Sequence, residues 1–457
     1  MRKTKYTVKL TNQFKKDFKL AMKRGLKIEL LEEVITILSV GEKLPDKNKD
    51  HALTGNWVGH RECHILPDWL LVYCIEDEVL VLTLTRTGTH SDLFGKLLIC
   101  SVRFDCCMEN MENKEGMKNI ENKDVKDFEN SKDLNWAVLG TGVIANEMAQ
   151  ALQKMGKSLY AVGNRTHQKA VEFAAKYGIS KVYDSIDDMF EDENTDIIYI
   201  TSPHNTHYAF MKKALEHGKH LFVEKSITLN SRELNEMIDM ANEKHLILAE
   251  AMTIWHMPIY KKLWELIRSN ELGKVQMITM NFGSFKEYDM NNRFFNMNLA
   301  GGALLDIGVY ALSIVRSFMD EKPDEILSQW RPSPTGSDEQ ATILLKNSQG
   351  QMATVALSMH SKQPKRAMIS CEKGYIEIME YPRAQKATIT DAETGAKTEI
   401  ECGDTADALY YEMMDMEAAV KTKDVSAMQL TYTKDVMDIM TKLRKEWGMK
   451  YPDENWD

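Results

Sequence analysis

The feature that most constrains the fold is an alternation of apolar strands, glycine-containing turns and helical patterns that begins at Asn135. Strands that alternate with helices form a parallel sheet with right-handed crossovers. From about Lys274 the pattern changes to strands of alternating polarity, which favours an antiparallel sheet. We therefore predict a parallel-sheet α/β domain over 134–256 and an α+β domain over 257–457. The predicted strands are 136–139, 159–163, 197–201 and 220–223, then 275–283, 341–346, 352–359, 367–371 and 375–379, before a helical region at 406–447.

Residues 1–94 have a different pattern, that of a separate small α+β domain. Apolar residues recur at helical spacing over 26–38, after an amphipathic pattern near 12–24. Beyond Pro45 the period becomes two, and three antiparallel strands are predicted at 57–64, 69–75 and 79–84. The whole chain is thus a multidomain protein of α/β and α+β classes.

The stretch between these parts, residues 95–133, is rich in Glu, Asn, Lys, Asp and Met and has few apolar residues. Such a composition buries too little surface to offset the entropy of ordering, so we predict a disordered linker, with a short helix as the alternative. The chain carries seven cysteines, an odd number, without zinc or redox spacing, which is typical of a reducing cytoplasm. We expect no metal site and, since no stretch approaches the ~20 apolar residues of a membrane helix, no membrane contact.

A glycine turn follows the first strand of the larger part. Gly140 allows a tight turn, and Gly142 allows a close approach of the backbone to a pyrophosphate at a helix N-terminus. Asn164 and Arg165 follow the second strand, where an enzyme that uses NAD usually has an acid. This favours the 2′-phosphate of NADP over NAD, although Arg165 could instead be a solvated cation at the start of a helix.

Three further residues could reduce a carbonyl. Lys225 ends a strand, and Asp306 and Tyr310 are four residues apart, which places them on one face of a helix. A tyrosine can protonate an alkoxide, and a nearby lysine cation lowers the tyrosine pKa and polarises the carbonyl.

These segments resemble the Gfo/Idh/MocA oxidoreductases over about 134–450, and GGALLDIGVY resembles the dihydrodiol dehydrogenase and glucose–fructose oxidoreductase branch. The resemblance implies a catalytic Lys225 in a Glu-Lys-Pro motif whose proline is here Ser226, with Tyr310 as proton donor and Asp306 orienting the substrate. It also implies a sugar, diol or related carbonyl substrate and a homodimer. The predicted cofactor-binding residues are Gly140, Gly142, Ile144, Asn164, Arg165, Ser202, Asn205, His207 and Glu224, with Asn205 and His207 beside the nicotinamide.

The N-terminal domain carries groups suited to cleaving a phosphodiester. Metal-free RNA cleavage needs a base, an acid and a cation for the developing charge, and histidine and arginine suit these roles. The stretch Arg2–Lys27 contains ten Lys and Arg and a single acid, Asp17. These cations could follow an RNA backbone. The alternative is that these histidines have a structural role, and composition alone does not decide between a catalytic and a structural role.

The sequences HALTGNWVGHRECHILPDWLLVY and LTRTGTHSDLF closely resemble the YafQ-type toxins of the RelE/ParE superfamily. The resemblance implies an mRNA endoribonuclease that acts at the ribosome and is neutralised by a cognate antitoxin. It implies an acid–base group of His51, His64, Asp68 and His90, with Arg86 on the scissile phosphate and Trp69 and Phe94 stacking on or shaping the site for a base.

Two hypotheses follow. In the first, the chain is a bifunctional fusion of an mRNA interferase with an NADP-linked oxidoreductase. In the second, only the oxidoreductase is active, and the N-terminal domain is an inactive or antitoxin-docking module that was acquired by gene fusion.

Overall fold

The computed structural model divides the chain into two compact units, Met1–Glu115 and Gly116–Asp457. It describes residues 5–10, 27–52, 60–66, 69–76, 81–88 and 133–452, together with the single positions Phe14, Phe18, Ala21, Glu454 and Trp456. The predicted linker therefore lies outside the described residues except for Asp133, and so do parts of the predicted elements at 12–24 and 57–64.

The N-terminal unit contains a five-stranded sheet and a helix that packs on it. Apolar residues at helical spacing in α1 (Leu31, Val34 and Leu38) form the core with Trp69 and Tyr73 of the sheet. The elements are β1 (Thr7–Leu10), α1 (Ile28–Ser39), β2 (His51–Ala52), β3 (Arg61–Leu66), β4 (Trp69–Glu76) and β5 (Val81–Gly88), in the spatial order β1-β5-β4-β3-β2.

Two of these strands correct the sequence prediction. Thr7–Leu10 had no predicted strand, yet β1 pairs in parallel with β5. The short strand β2 pairs with β3, so the sheet has five strands instead of three. β1 was missed because it is only four residues long, although Tyr6, Val8 and Leu10 alternate there with polar residues.

The second unit begins with a six-stranded parallel sheet in the order β11-β10-β9-β6-β7-β8. The central strands are buried on both faces, which explains their continuous apolar sequences. The strands are β6 (Trp136–Leu139), β7 (Ala161–Gly163), β8 (Lys181–Val182), β9 (Ile197–Ile200), β10 (His220–Glu224) and β11 (Leu248–Ala251). The helices are α2 (Val143–Lys154), α3 (His167–Tyr177), α4 (Ile186–Glu191), α5 (His207–Glu216), α6 (Ser231–Glu243), α7 (Thr253–His256) and α8 (Pro258–Arg268).

The second domain of this unit contains an eight-stranded sheet in the order β13-β14-β15-β12-β16-β17-β18-β19. It is mostly antiparallel, but β12 and β15 pair in parallel. The strands are β12 (Val275–Gly283), β13 (Glu325–Pro332), β14 (Asp338–Lys346), β15 (Met352–Ser358), β16 (Gln363–Cys371), β17 (Gly374–Met379), β18 (Lys386–Asp391) and β19 (Lys397–Glu401). A π-helical turn (Leu304–Gly308), α9 (Val309–Phe318), α10 (Ala408–Thr422) and α11 (Leu430–Trp447) complete the domain.

Five strands of this unit were not predicted: β8, β11, β13, β18 and β19. β13 alternates only weakly and is largely exposed, so packing against β14 decides its conformation.

One apolar stretch contradicts the expectation that none approaches the length of a membrane helix. Met297–Phe318 is long and apolar enough to cross a membrane, with a mean hydropathy of 1.5. Of its most apolar 18 residues 78% are buried inside the unit, so the stretch forms part of a domain core.

Candidate active site

The glycine turn after β6 shapes the first half of the site. Gly140 has φ +120°, and a Cβ there would lie 2.4 Å from Thr201 Oγ1, so both the backbone and the space require glycine. Gly142 is the N-cap of α2 and offers no side chain to the first amides of that helix. A Cβ on Gly142 would meet nothing within 4 Å. The helix N-terminus is thus open to an anionic ligand.

A cavity of about 630 Å³ lies over this turn. Its wall includes Gly140, Gly142, Asn164, Arg165 and Ser202. It also contains Lys169 and Lys176, which the sequence analysis did not single out. The position of Lys169 in the first turn of α3, shortly after Arg165, was the signal that could have found Lys169. An open helix N-terminus beside three cations fits a dinucleotide with its phosphates.

Two predicted cofactor ligands occupy other places. The ring of His207 is fully buried, and its nitrogens lie 2.7 Å from Ser202 O and 3.2 Å from Ser226 O. It therefore positions the turn after Lys225 from within the core and does not lie on an open surface beside a nicotinamide. Glu224 accepts a hydrogen bond from Tyr199 and does not line the 630 Å³ cavity.

Two other members of the predicted set also lie outside this wall. Ile144 packs half-buried against the domain core. Asn205 donates to Asn298 O at 3.2 Å, which joins the end of the parallel sheet to the segment before the π-helical turn.

The second half of the site surrounds Lys225 at the carboxyl end of β10. Its Nζ donates to Asp306 O at 2.7 Å and lies 3.3 Å from Asp306 Oδ1. The same Nζ lies 4.9 Å from the centroid of the Tyr310 ring. The peptide bond between Lys225 and Ser226 is cis. Lys225 thus meets Asp306 and Tyr310, although 81 residues separate Lys225 from Asp306.

Electrostatics keep the lysine and the aspartate charged. Burial opposes both charges, but the two groups stabilise each other: the pKa of Lys225 is raised and that of Asp306 is lowered to about 2. Arg293, with NH1 3.3 Å from Asp306 Oδ1, adds a second cation.

For Tyr310 the Lys225 cation lowers the pKa as expected, but the net pKa of the phenol is raised. Burial raises the pKa of its phenol, and the Lys225 cation, which lowers it, does not outweigh burial and the Glu224 carboxylate. The phenol therefore stays protonated in the resting site, which suits a proton donor.

His204 is a residue that the sequence analysis left without a role. Its Nε2 lies 3.0 Å from Lys225 O, and its Nδ1 has no hydrogen-bond partner among the described residues. Burial and the neighbouring His207 and Lys225 lower the pKa of His204 to about 3, so the ring is neutral. Its position directly after β9, at the edge where Lys225 also ends a strand, was the available signal.

A second cavity, of about 740 Å³, has Tyr310 in its wall. Phe282, Arg383 and Gln385 line it as well. Arg383 NH1 pairs with Glu147 on α2 at 2.8 Å. Tyr310 thus lies in the wall of this cavity as well as beside Lys225.

In the N-terminal unit the described residues hold only part of the predicted site. His51 is exposed, with Nδ1 2.9 Å from Lys49 O, and His64 Nε2 lies 3.9 Å from Glu62 Oε1. The backbone of Arg86 lies in β5 opposite Val72. The predicted residues Asp68, His90 and Phe94 lie outside the described residues.

Trp69 is a correction. Its side chain is 1% exposed and belongs to the core of the sheet, so it cannot stack on a base, and that it shapes the site stays a prediction. The sequence analysis also missed Asp50, which accepts hydrogen bonds from Arg61 NH2 at 2.7 Å and from Tyr73 OH at 2.8 Å.

A parallel sheet with an open glycine turn, and a lysine and a tyrosine at its carboxyl edge, define a nicotinamide-dependent oxidoreductase with a Rossmann domain. The comparisons specify the family. Residues 134–252 match the model described as oxidoreductase family, NAD-binding Rossmann fold, and 260–377 match the GFO/IDH/MocA C-terminal domain. The chain belongs to the Gfo/Idh/MocA family. Residues 6–95 match the YafQ bacterial toxin of type II toxin–antitoxin systems.

Similar curated proteins include trans-1,2-dihydrobenzene-1,2-diol dehydrogenases. The mouse protein is 30% identical over 251 residues, which are 54% of this chain and 74% of the relative. The Xenopus laevis protein is 28% identical over 331 residues, 69% of this chain and 99% of the relative.

Solved structures confirm the fold of the larger unit. A 3-ketoreductase from Actinomadura kijaniata, in complex with NADP and TDP-benzene, has a TM-score of 0.62 at 18% identity, covering 69% of this chain and 98% of that one. A UDP-N-acetylglucosamine 3-dehydrogenase from Acidithiobacillus ferrooxidans has a TM-score of 0.60 at 20% identity, with the same coverage of both chains.

Proposed function

We propose that the larger unit interconverts an alcohol and a carbonyl on a sugar, a diol or a related compound, with NADP(H) as the redox partner. The observation that carries the proposal is the position of Lys225 Nζ between Asp306 and the face of Tyr310. The substrate classes named for the relatives and for the structural neighbours, a dihydrodiol and nucleotide-linked sugars, share a secondary alcohol next to a second oxygen.

A bound nicotinamide supplies or accepts the hydride. In the direction of reduction, the Lys225 ammonium donates a hydrogen bond to the substrate oxygen and stabilises the negative charge that develops there. The Tyr310 phenol gives its proton to that oxygen. Asp306 keeps Lys225 charged and holds the ammonium in place. In oxidation the same groups act in reverse.

The cofactor preference rests on Arg165, Lys169 and Lys176 in the wall of the 630 Å³ cavity. An arginine at this place pairs with a 2′-phosphate, which NADP has and NAD lacks. The test compares NADPH and NADH binding to the wild type and to Arg165→Ala. We expect the variant to lose at least about tenfold in NADPH affinity, with NADH affinity unchanged.

The matched control is Arg268→Ala, an exposed arginine at the end of α8 that does not line the cavity. Equal affinity of the wild type for the two nucleotides, or tighter NADH binding, contradicts the preference for NADP.

We also propose that the larger unit forms a homodimer through the open face of its eight-stranded sheet. Leu327 lies opposite Leu344, and Met277 opposite Met352, and all four side chains are exposed. Exposed apolar pairs on one face of a sheet are typical of a protein interface. Light scattering should give a dimer for the wild type and a monomer for Leu344→Asp, with Lys373→Asp beyond the sheet face as the control.

The second candidate function is endoribonuclease activity of the N-terminal unit, with an antitoxin as partner, supported by the YafQ match over 6–95. Expression of residues 1–94 and of the full chain should arrest growth and cleave translated message, and His90→Ala should restore growth. If the wild-type fragment leaves growth and message intact, the alternative of an inactive or antitoxin-docking module replaces this proposal.

A further inference from the structure

The two segments that carry Lys225 and Asp306 rest on one buried group of side chains. This group, the α11 support, consists of Arg444 on α11 and of Tyr451 and Glu454 in the segment that follows it. Arg444 NH1 and NH2 donate to the two carboxylate oxygens of Glu454 at 2.6 and 2.7 Å, and both side chains are fully buried. A buried, doubly hydrogen-bonded ion pair has a fixed geometry.

On one side the support binds the turn after Lys225. Arg444 NH2 also donates to Leu229 O. Asn230 Nδ2 donates to Glu454 Oε1 at 3.0 Å, and Asn230 is in turn the N-cap of α6. The backbone four and five residues after Lys225 is therefore held by the support.

On the other side the support binds the turn that leads to Asp306 and Tyr310. Tyr451 OH donates to Gly301 O at 3.0 Å, and the Arg444 guanidinium lies 4.7 Å from the Tyr451 ring centroid. Three residues further, Leu304 N donates to Asp338 Oδ2 at 2.6 Å. Gly302 closes the turn with φ +138°, and a Cβ there would lie 2.0 Å from Asp338 Oδ1.

We propose that Arg444, Tyr451 and Glu454 are positioning residues that set the distance between Lys225 and the Asp306–Tyr310 segment. Desolvation offsets much of the stabilisation that a buried ion pair provides, so stability alone is a weak reason for its presence. A direct bond, Ser226 Oγ to Leu305 O at 3.0 Å, joins the two segments near the chemistry, and the support joins them at their far ends. The catalytic part of this inference rests on the proposed function.

The test uses the full chain with Tyr451→Phe, which removes one hydrogen bond and keeps the ring. We expect kcat to fall by about tenfold, because small displacements of reacting groups are costly, while NADPH affinity stays within about twofold. Hydrogen exchange should become faster in residues 226–230 and 301–306. Glu454→Gln, which keeps the shape but weakens the pairing with Arg444, should change both readouts in the same direction.

The matched control is Tyr183→Phe, a buried tyrosine of the same unit whose hydroxyl donates to Asp192 at 2.6 Å, away from both segments. It should change neither readout. The proposal is wrong if Tyr451→Phe leaves exchange in the two segments at the wild-type rate, or if exchange rises while kcat stays unchanged. A wild type that neither binds NADPH nor turns over overturns the proposed function, and the exchange rates then decide the positioning role alone.

Discussion

At the residue scale, the site depends on the protonation states of three side chains. Lys225 and Asp306 stabilise each other's charged forms, whereas burial keeps the Tyr310 phenol protonated. The sequence could name these residues, since each stands in a recognisable motif. It could not give the direction of the Tyr310 pKa shift, because that depends on burial and on Glu224, neither of which is visible in the sequence.

The proton donor is the first residue to test. Tyr310→Phe removes the hydroxyl and keeps the ring over which Lys225 lies. Loss of a general acid should lower kcat by about 10²- to 10⁴-fold, with NADPH affinity unchanged. Steady-state kinetics and a binding titration measure both, and Tyr208→Phe, a partly buried tyrosine that bonds Glu236, serves as control. A variant with wild-type kcat would show that another group donates the proton.

A second prediction concerns Glu250, a fully buried carboxyl that accepts hydrogen bonds from Ile227 N and Thr433 Oγ1. Burial raises its pKa to about 7, while the nearest charges, Glu224 and Lys225, act in opposite directions. The folded state therefore holds this proton more tightly than the unfolded state does, and stability is lost as the pH rises from about 4.5 to about 7.

The loss should be on the order of 3 kcal/mol in the free energy of unfolding, and Glu250→Gln should remove it. Denaturant melts at pH 5 and pH 7.5 measure the difference, with the exposed Glu271→Gln as control. Parallel pH profiles for wild type and Glu250→Gln would refute this assignment.

At the element scale, the glycine turn after β6 and the π-helical turn before α9 define the two sides of the site. The first was predictable, since a strand, two glycines and a helix follow one another in the sequence. The π-helical turn was not, because a helical pattern does not show where one extra residue enters a turn. Local patterns also do not show burial or partners: His207, at the start of α5, is buried in the core, and Glu224, at the end of β10, accepts a hydrogen bond from Tyr199.

The glycine turn gives a direct test at this scale. Gly140→Ala forces a Cβ to within 2.4 Å of Thr201 Oγ1 at a φ of +120°, so the turn must shift. We expect NADPH affinity to fall by at least about tenfold, since the backbone no longer reaches the phosphates. Gly178→Ala is the control: φ is also positive, but its Cβ meets nothing within 4 Å. It should cost about 1 kcal/mol of stability and leave binding intact.

At the scale of the whole molecule, the two compact units should unfold independently. Calorimetry of the full chain should show two transitions. NADPH at a hundred times its Kd should stabilise the larger unit by about 2.7 kcal/mol and raise only that transition. A single transition, or a shift of both, would show that the units are coupled.

The sequence by itself determined the domain order, the two fold classes and the identity of Lys225, Asp306 and Tyr310, because these depend on local periodicity and on short motifs. The tertiary structure alone decided which of the predicted residues lie on a surface, the parallel pairing of β12 with β15, and the support under the site from Arg444 and Glu454. The physical reason is that burial and strand pairing depend on residues far apart in the chain, whose proximity no local pattern records.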